Sequence, residues 1–358
     1  MVRGSSREQL APLEAERKKP RRIEPEMIDE LGELGVFGVS TSADWGGSEL
    51  DPVTYALLLE EIAAGDGAIS TMVLVHNSPT YIVVKTYGTA APKDRWPRKL
   101  TTGQHVGSFS LTEAQAGSDA SNLKTHALAR GDRDVVSGSK QFISNASHPG
   151  SLVFFVATDS AADKNGLSAF VVEKNDPGFA VMRIVEKLGQ KASDICALAF
   201  DGMEVPEDQR IGAEDEGFEI ALSTLESGRI RIATQSIGMA RAALEYAVGC
   251  ARDRQAFGSA IIDFQAVGFR LAEAKTQAAR QLTLLATRPK AEGCAALEAA
   301  SMANLFVSET AEAVCTAATQ TLVGYGSLAD HPLERMSREV PVRQMYEGTP
   351  DVFLQQML

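Results

Sequence analysis

The stretch from Ile230 to Ala251 constrains the fold of this chain more than any other. Ile230, Ala233, Ile237, Ala240, Leu244, Ala247 and Ala251 recur at alternating steps of three and four residues. That spacing lays one narrow apolar stripe along an α-helix, a heptad-like seam. Alanine supplies much of it, so neighbouring helices can approach closely, and the pattern predicts tight antiparallel packing in a bundle. Asp263 to Arg288 and Leu297 to Val323 are alanine-rich too and read as two more long helices. Small residues on several faces further predict packing against partner subunits.

Upstream the texture changes twice. From about residue 25 to 100 it is helical: Pro25 opens a segment with Ile28, Leu31 and Leu34 on one face, and Gly35 ends it. Asp51-Pro52 starts a second helix carrying Leu58, Leu59 and Ile62, with Asp44-Trp45-Gly46-Gly47 in the turn before it. Val83, Val84 and Tyr87 fall in a third, stopped by Gly88. From about 106 to 205 short β-rich runs take over: Val106 to Leu111, Thr125 to Ala129, Asp134 to Ser137, Leu152 to Thr158, Ser168 to Glu173 and Leu198 to Phe200. Gly131-Asp132 joins two of them as a hairpin. Closely spaced strands of this kind predict a small barrel or sandwich, not a parallel nucleotide-binding sheet.

Composition narrows the function classes. A formal net charge of -12 argues against nucleic-acid binding. The basic cluster Arg17, Lys18, Lys19, Arg21 and Arg22 is interleaved with Glu14, Glu16 and Glu24 and reads as a solvated segment. Cys196, Cys250, Cys294 and Cys315 are scattered, as are the five histidines, which predicts buried thiols in a reducing compartment and no metal centre. No apolar run is long enough to span a membrane and no secretory pattern opens the chain, so a cytoplasmic protein without stable membrane insertion is expected.

The sharpest local signal is Tyr346-Glu347-Gly348-Thr349-Pro350-Asp351. Thr349 suits an N-cap, Pro350 the first helical position and Asp351 the positive end of the helix dipole. A carboxylate beside free backbone N–H groups can take a proton while those groups hold a developing oxyanion. Further upstream, Phe109 to Asp119 reads as a strand ending at Thr112, followed by a small-residue loop whose Gly117 and Ser118 offer donors to a pyrophosphate. In Ser137 to Ala146, strand alternation puts Phe142 and Ser144 on one side, where an aromatic and a hydroxyl could face a planar ring. Arg254 near Phe257-Gly258 lies at the predicted end of the seam helix, with Gly258 as its stop. Gln320 to Gly326 is a helix end followed by a glycine-rich turn. Taken singly, each has an ordinary structural explanation.

In order along the chain, these motifs resemble the acyl-CoA dehydrogenase family, most closely its short-chain and general bacterial members. The resemblance spans nearly the whole chain: Asp44-Trp45-Gly46-Gly47, Leu59-Glu60-Glu61-Ile62-Ala63, Leu111-Thr112-Glu113 with Gly117-Ser118-Asp119, and Gly138-Ser139-Lys140 with Phe142-Ile143-Ser144-Asn145. It continues through Lys187-Leu188-Gly189, Gly228-Arg229-Ile230, Arg254 with Phe257-Gly258, and Tyr346-Glu347-Gly348-Thr349. It implies an α+β multidomain fold: an N-terminal all-α domain over 1–105, a middle β-barrel over 106–210 and a C-terminal four-helix bundle over 211–358. It also implies a homotetramer with one FAD per subunit, an acyl-CoA substrate and an electron-transfer flavoprotein as acceptor.

By likeness, Glu347 is the base that takes the α-proton of the thioester while the β-hydrogen leaves as hydride to flavin N5, giving a trans-2-enoyl-CoA. The Glu347 N–H and a flavin ribityl hydroxyl polarise the carbonyl. Phe109, Leu111, Thr112, Gly117 and Ser118 line the flavin ring and pyrophosphate, and Phe142, Ile143 and Ser144 flank the ring. Arg254, Phe257 and Gln265 reach FAD across a subunit interface, Gln320, Val323 and Gly324 meet its adenosine half, and Thr349 with Asp351 complete its surroundings. Ser118, Glu226, Gly228, Arg229, Tyr346 and Gly348 match substrate contacts. Some relatives carry their base at the position of Gly228, which glycine cannot supply. The chain departs from the family's usual Glu-Pro-Gly-Ala-Gly-Ser-Asp loop at Ala114-Gln115, has Phe142 where tryptophan is common, and has Pro350-Asp351 after Thr349 where Ser-Glu or Ser-Gln is usual. Its first helix and its end also look shortened. Two other readings stay open at this stage: a flavoprotein oxidase of a non-CoA substrate, and a flavin-less relative kept as a binding or assembly subunit.

Overall fold

The computed structural model describes residues 2–10, 23–272 and 275–357. The basic cluster at 17–22 lies outside them. After a short helical stretch, Val2–Ser5 and Ser6–Leu10, come helices α1 (Pro25–Glu33), α2 (Pro52–Gly65), α3 (Gly67–Val75) and α4 (Ile82–Tyr87). Capping follows the sequence: Asp51 accepts from the N–H groups of Val53 and Thr54, and Asp66 from those of Ala68 and Ile69. Gly35 turns the chain out of α1 at a φ of 72°. Ile28 and Leu31 are buried as their spacing predicts, but Leu34, at the fraying end of α1, is exposed.

Eight strands follow: β1 (Val106–Ser110), β2 (His126–Arg130), β3 (Arg133–Ser144), β4 (Gly150–Ala157), β5 (Leu167–Glu173), β6 (Phe179–Ile184), β7 (Ile195–Pro206) and β8 (Arg210–Ile211). They form one sheet in the order β6-β7-β3-β2-β4-β5-β8, with β1 parallel to β4. Gly131-Asp132 is the loop of the β2–β3 hairpin, where Arg130 pairs with Arg133. All eight residues of β4 are buried, because the sheet is covered on both faces. Phe154 stacks on Phe170 and Phe200 at 5.7 and 5.1 Å inside the curved sheet, while the next residue, Phe155, packs toward the helices around Tyr81 and Trp96.

Three strand assignments differ from the sequence reading. β3 runs unbroken from Arg133 to Ser144, joining the Asp134–Ser137 run to the strand expected around Phe142 and Ser144, and β7 extends well beyond Leu198–Phe200. The polar and glycine residues in both had masked a long antiparallel ladder that tolerates them through register shifts at Val136/Gly138 and Lys140/Ile143. β6 was not anticipated, since its exposed edge position demands no apolar alternation.

The seam is the helix α5 (Gly217–Asp253), and every seam residue is buried except Leu244, which is half-buried. Helix α2 lies close against it. A Cβ at Gly238 would overlap the carbonyl oxygen of Glu60, so glycine is what allows the approach. Glu60 then pairs with Arg241 of α5 at 3.1 Å and Arg280 at 2.8 Å. The predicted helix over 263–288 is instead two, α6 (Gln265–Ala272) and α7 (Thr276–Ala291), with Lys275 left-handed at a φ of 48° before the second. α8 (Leu297–Leu322) ends as predicted, and its C-cap Val323 has a φ of 54°, strained for a β-branched residue. Gly258 does not stop α5, which ends five residues earlier at Asp253; it takes a φ of 83° in the tight turn of a small hairpin, Gln255–Ala256 with Ser259–Ala260. α9 (Pro332–Glu339) and α10 (Pro350–Gln356) close the chain.

Candidate active site

Glu347 sits in the turn between the short helical segment Pro341–Gln344 and α10. Thr349 caps α10 as its position predicts, accepting from the Val352 N–H at 3.4 Å, with Pro350 first in the helix. The turn is strained: Glu347 has a φ of 58° and Gly348 a φ of 132°. A non-glycine residue held left-handed costs about 1 kcal/mol or more and persists only where its surroundings fix it. Arg229 does much of that fixing. Its Nε donates to the Glu347 carbonyl oxygen at 3.2 Å, and its Nη1 donates to Ser301 Oγ at 3.4 Å and to Gln356 Oε1.

The turn aims the Glu347 carboxylate across α5, onto Gly228. A Cβ at residue 228 would overlap Oε2 and Cδ and lie 2.7 Å from Oε1. Oε2 is buried and has no hydrogen-bond partner. Burial therefore pushes the Glu347 carboxyl up to about 7, against the pull of Arg231 and Arg229. The backbone N–H groups of Glu347 and Gly348 also make no hydrogen bond among the described residues.

Beneath this turn lies a buried polar network that sequence reading missed. Arg343 is fully buried and donates to Gln235 Oε1 at 2.6 Å and to the Tyr346 hydroxyl. Tyr346 donates to Gln235 Oε1 at 3.0 Å, and Gln235 Nε2 donates to Ser70 Oγ at 2.9 Å. These residues come from three separate elements, so no spacing in the sequence announces them.

A second group forms around the loop after β1. Lys140 Nζ pairs with Glu113 Oε1 at 2.8 Å and donates to the Leu111 carbonyl at 2.9 Å, with both side chains buried. Burial lowers Lys140 to about 8. Burial alone would raise Glu113, but Lys140 and the donors around it hold that carboxyl below its usual range. At the departure from the usual loop, Gln115 Nε2 donates to Glu113 Oε2 at 2.7 Å and to the Asn122 carbonyl at 3.1 Å, so this side chain braces the turn. The loop leaves Gly117 and Ser118 exposed.

The Gln141 N–H donates to the Thr112 carbonyl at 2.9 Å, which sets Phe142 beside that loop. Phe142 is 60% exposed at a φ of 60°, an aromatic ring left largely uncovered by the described residues. Burial alternates through Phe142, Ile143 and Ser144, so Ile143 points into the sheet core while its two neighbours turn outward. Phe109 is half-buried against Phe155, with ring centroids 5.0 Å apart, and Leu111 is buried.

The other predicted positions gather elsewhere. Arg254 lies over the Tyr325 ring at 5.4 Å, beside the turn that holds Val323 and Gly324, while Phe257 is 98% exposed. Gln265, Gln320 and Asp351 are exposed. No hydrogen bond or ring contact among the described residues joins the Arg254 group to Glu347 or Phe142. Glu226 is occupied, paired with Lys290 at 2.7 Å and accepting from the Ala296 N–H at 2.6 Å at the start of α8. Among the described residues no group of three or more His, Cys, Asp or Glu is placed to hold a metal ion.

This helix–sheet–helix chain thus buries one unpartnered carboxylate, Glu347, and leaves one aromatic ring of its sheet, Phe142, largely exposed, the arrangement of an enzyme and not of a purely structural module. Sequence comparison makes this specific. Family models described as the N-terminal, middle and C-terminal domains of acyl-CoA dehydrogenase match residues 1–104, 108–203 and 215–358, and the chain belongs to that family. It is 37% identical to an acyl-CoA dehydrogenase of Bacillus subtilis over 98% of this chain and 93% of that protein. Among solved structures, butyryl-CoA dehydrogenase from Megasphaera elsdenii superposes with a TM-score of 0.97 at 34% identity, covering 99% of this chain and 94% of that one. A chain from a study of the electron transferring flavoprotein of Acidaminococcus fermentans gives a TM-score of 0.97 at 37% identity, with 99% and 94% covered. Members of the family are FAD-dependent flavoproteins. The uncovered Phe142 ring, beside a braced loop with exposed Gly117 and Ser118, fits such a group: a flat apolar face next to donors for a pyrophosphate.

Proposed function

We propose that this protein removes the α-proton and β-hydrogen of a saturated acyl-CoA thioester, with Glu347 as the base, to give the trans-2-enoyl-CoA. The observation that carries this reading is the Glu347 carboxylate: buried at Oε2, without a hydrogen-bond partner, and held over Gly228 by a strained turn. A carboxyl raised to about 7 is ionised in a useful fraction near neutral pH and is a far stronger base than a solvated glutamate. Once protonated it is neutral, which removes the cost of burying its charge. The unbonded N–H groups of Glu347 and Gly348 are free to polarise the thioester carbonyl as the α-carbon loses its proton. FAD, when bound, supplies the acceptor for the β-hydride; Phe109, Thr112, Ser118, Phe142 and Ser144 are the residues that would hold it.

Three further assignments belong to the same reading. Electrons leave to an electron-transfer flavoprotein, in keeping with the study from which one structural neighbour comes. The chain divides at 105/106 and 210/211 and assembles as a cytoplasmic homotetramer, which would cover the exposed Phe257, Phe269, Val323 and Tyr325 of the bundle. The test is product analysis: the flavin-loaded protein with butyryl-CoA or hexanoyl-CoA and an electron-transfer flavoprotein is expected to yield the 2-enoyl thioester. Stoichiometric peroxide without enoyl product would instead establish an oxidase.

A further inference from the structure

Arg231 lies three residues beyond Gly228 on α5, on the same side of the helix as the Glu347 carboxylate. Arginine is a costly residue to bury, even in part, unless its charge is answered. Here it is poorly answered. Among the described residues Arg231 makes no ion pair; it donates from Nη1 to Ser78 Oγ, and its Cζ lies 4.9 Å from the centre of the Tyr55 ring. The groups that draw on its charge are Tyr55 and Glu347, while burial disfavours the charged form. Tyr55 is neutral at any ordinary pH, since burial pushes its hydroxyl up to about 12. Glu347 ceases to be an anion when it takes a proton, so the turnover itself strips Arg231 of its nearest compensation.

Among the described residues no other ionisable group draws on that charge. His76, in the same turn as Ser78, is held neutral by burial, which lowers it to about 3. Arg231 is nevertheless only half-buried, and among the described residues no acceptor takes its Nε or Nη2. A guanidinium with free donors in a fork is the side chain best matched to a carboxylate.

We infer that Arg231, with Ser78 and Tyr55, receives a carboxylate at the far end of the acyl chain, so that the preferred substrate is the CoA thioester of a short dicarboxylic acid. The inference rests on the proposed role of Glu347, which fixes the α-carbon at one end of the pocket. The three residues from Gly228 to Arg231 rise about 4.5 Å along α5, a span that about four carbon–carbon bonds cover, as between the α-carbon and the far carboxylate of a five- or six-carbon diacid. A monocarboxylic chain of the same length would set a methyl group against an unanswered guanidinium, and sites built for a polar group discriminate strongly against analogues that lack it.

The test is equilibrium binding by calorimetry to the flavin-loaded Glu347→Gln protein, which cannot turn over, using adipyl-CoA, glutaryl-CoA and hexanoyl-CoA. Adipyl-CoA or glutaryl-CoA is expected to bind about tenfold or more tightly than hexanoyl-CoA. Adding Arg231→Met should reverse the order, and Arg231→Lys should keep part of the preference. Equal or tighter binding of hexanoyl-CoA with Arg231 intact overturns the inference whether or not the substituted proteins fold, as does an unmoved preference in Arg231→Met. If hexanoyl-CoA bleaches the flavin of the Glu347 protein while binding shows no carboxylate preference, this inference falls and the dehydrogenase reading stands. If no thioester bleaches the flavin, the dehydrogenase reading falls, and the binding order still judges Arg231.

Discussion

Glu347 and Gly228 occupy one site between them: the carboxylate fills the volume that any side chain at residue 228 would need. The relationship explains why a helix otherwise packed along its seam carries glycine at this position. Gly228→Ala is therefore expected to fold, since alanine favours the helix by about 1 kcal/mol over glycine, yet to displace the carboxylate. Misplacing a reacting group by an ångström costs on the order of a hundredfold in rate. Steady-state kinetics on Gly228→Ala with unchanged FAD content and helical circular dichroism should show a fall of that size; wild-type turnover would mean the carboxylate does not need its observed place.

The raised Glu347 carboxyl also acts on stability. Its folded value of about 7 lies above the ordinary 4.5, so the folded state binds the proton more tightly. The contribution is fully present below the unfolded value and is lost as pH rises through about 7. Glu347→Gln removes that penalty and is expected to be more stable than wild type at pH 8 by about 3 kcal/mol, a difference that shrinks toward pH 5. Urea unfolding at the two pH values measures it, and an equal gap at both would separate the effect from ionisation.

Glu113 and Lys140 form a buried pair that fixes the loop beside Phe142. Removing one partner leaves the other charge unanswered, which costs about 3–5 kcal/mol, whereas removing both costs less. Lys140→Met should therefore be markedly less stable than the Lys140→Met, Glu113→Gln double variant. Both should hold FAD more weakly than wild type, because the loop loses its anchor. A double-mutant cycle on urea midpoints, with flavin retention after gel filtration, tests both halves of this expectation.

Arg343 has no solvent to fall back on. Arg343→Met would leave Gln235 Oε1 without one donor and loosen Tyr346, the residue before Glu347. Loss of hydrogen bonds to a buried charged group predicts a destabilisation of about 2–4 kcal/mol. Turnover should fall along with it, since the turn beneath Glu347 loses its support. Thermal denaturation and turnover number on the same preparation report whether the two effects travel together.

Local rules made much of this molecule legible. The spacing from Ile230 to Ala251 marked the buried seam of α5, and Thr349-Pro350 marked the start of α10 and so the place of Glu347. Gly131-Asp132 marked the β2–β3 hairpin. Long-range partnerships were not legible, because they depend on how elements meet. The Arg343–Gln235 contact spans 108 residues of sequence, and the Lys140–Glu113 pair was seen only as two motif members. The left-handed backbone of Glu347 and Phe142 was hidden for another reason: neither residue favours that conformation, and only the surrounding fold imposes it. Arg231 carried a weak signal, standing three residues after a glycine already singled out.

The central claim is that Glu347 takes the proton. It is tested most directly by the pH dependence of anaerobic flavin reduction, as kcat/KM, for wild type and Glu347→Gln with one acyl-CoA. The account predicts a wild-type rate that rises with pH through an apparent value near 7, where burial holds the free carboxyl at about 7. It also predicts a Gln variant that binds the thioester but reduces flavin at least about a thousandfold more slowly. Flavin reduction by Glu347→Gln at the wild-type rate, with the same pH profile, would contradict it.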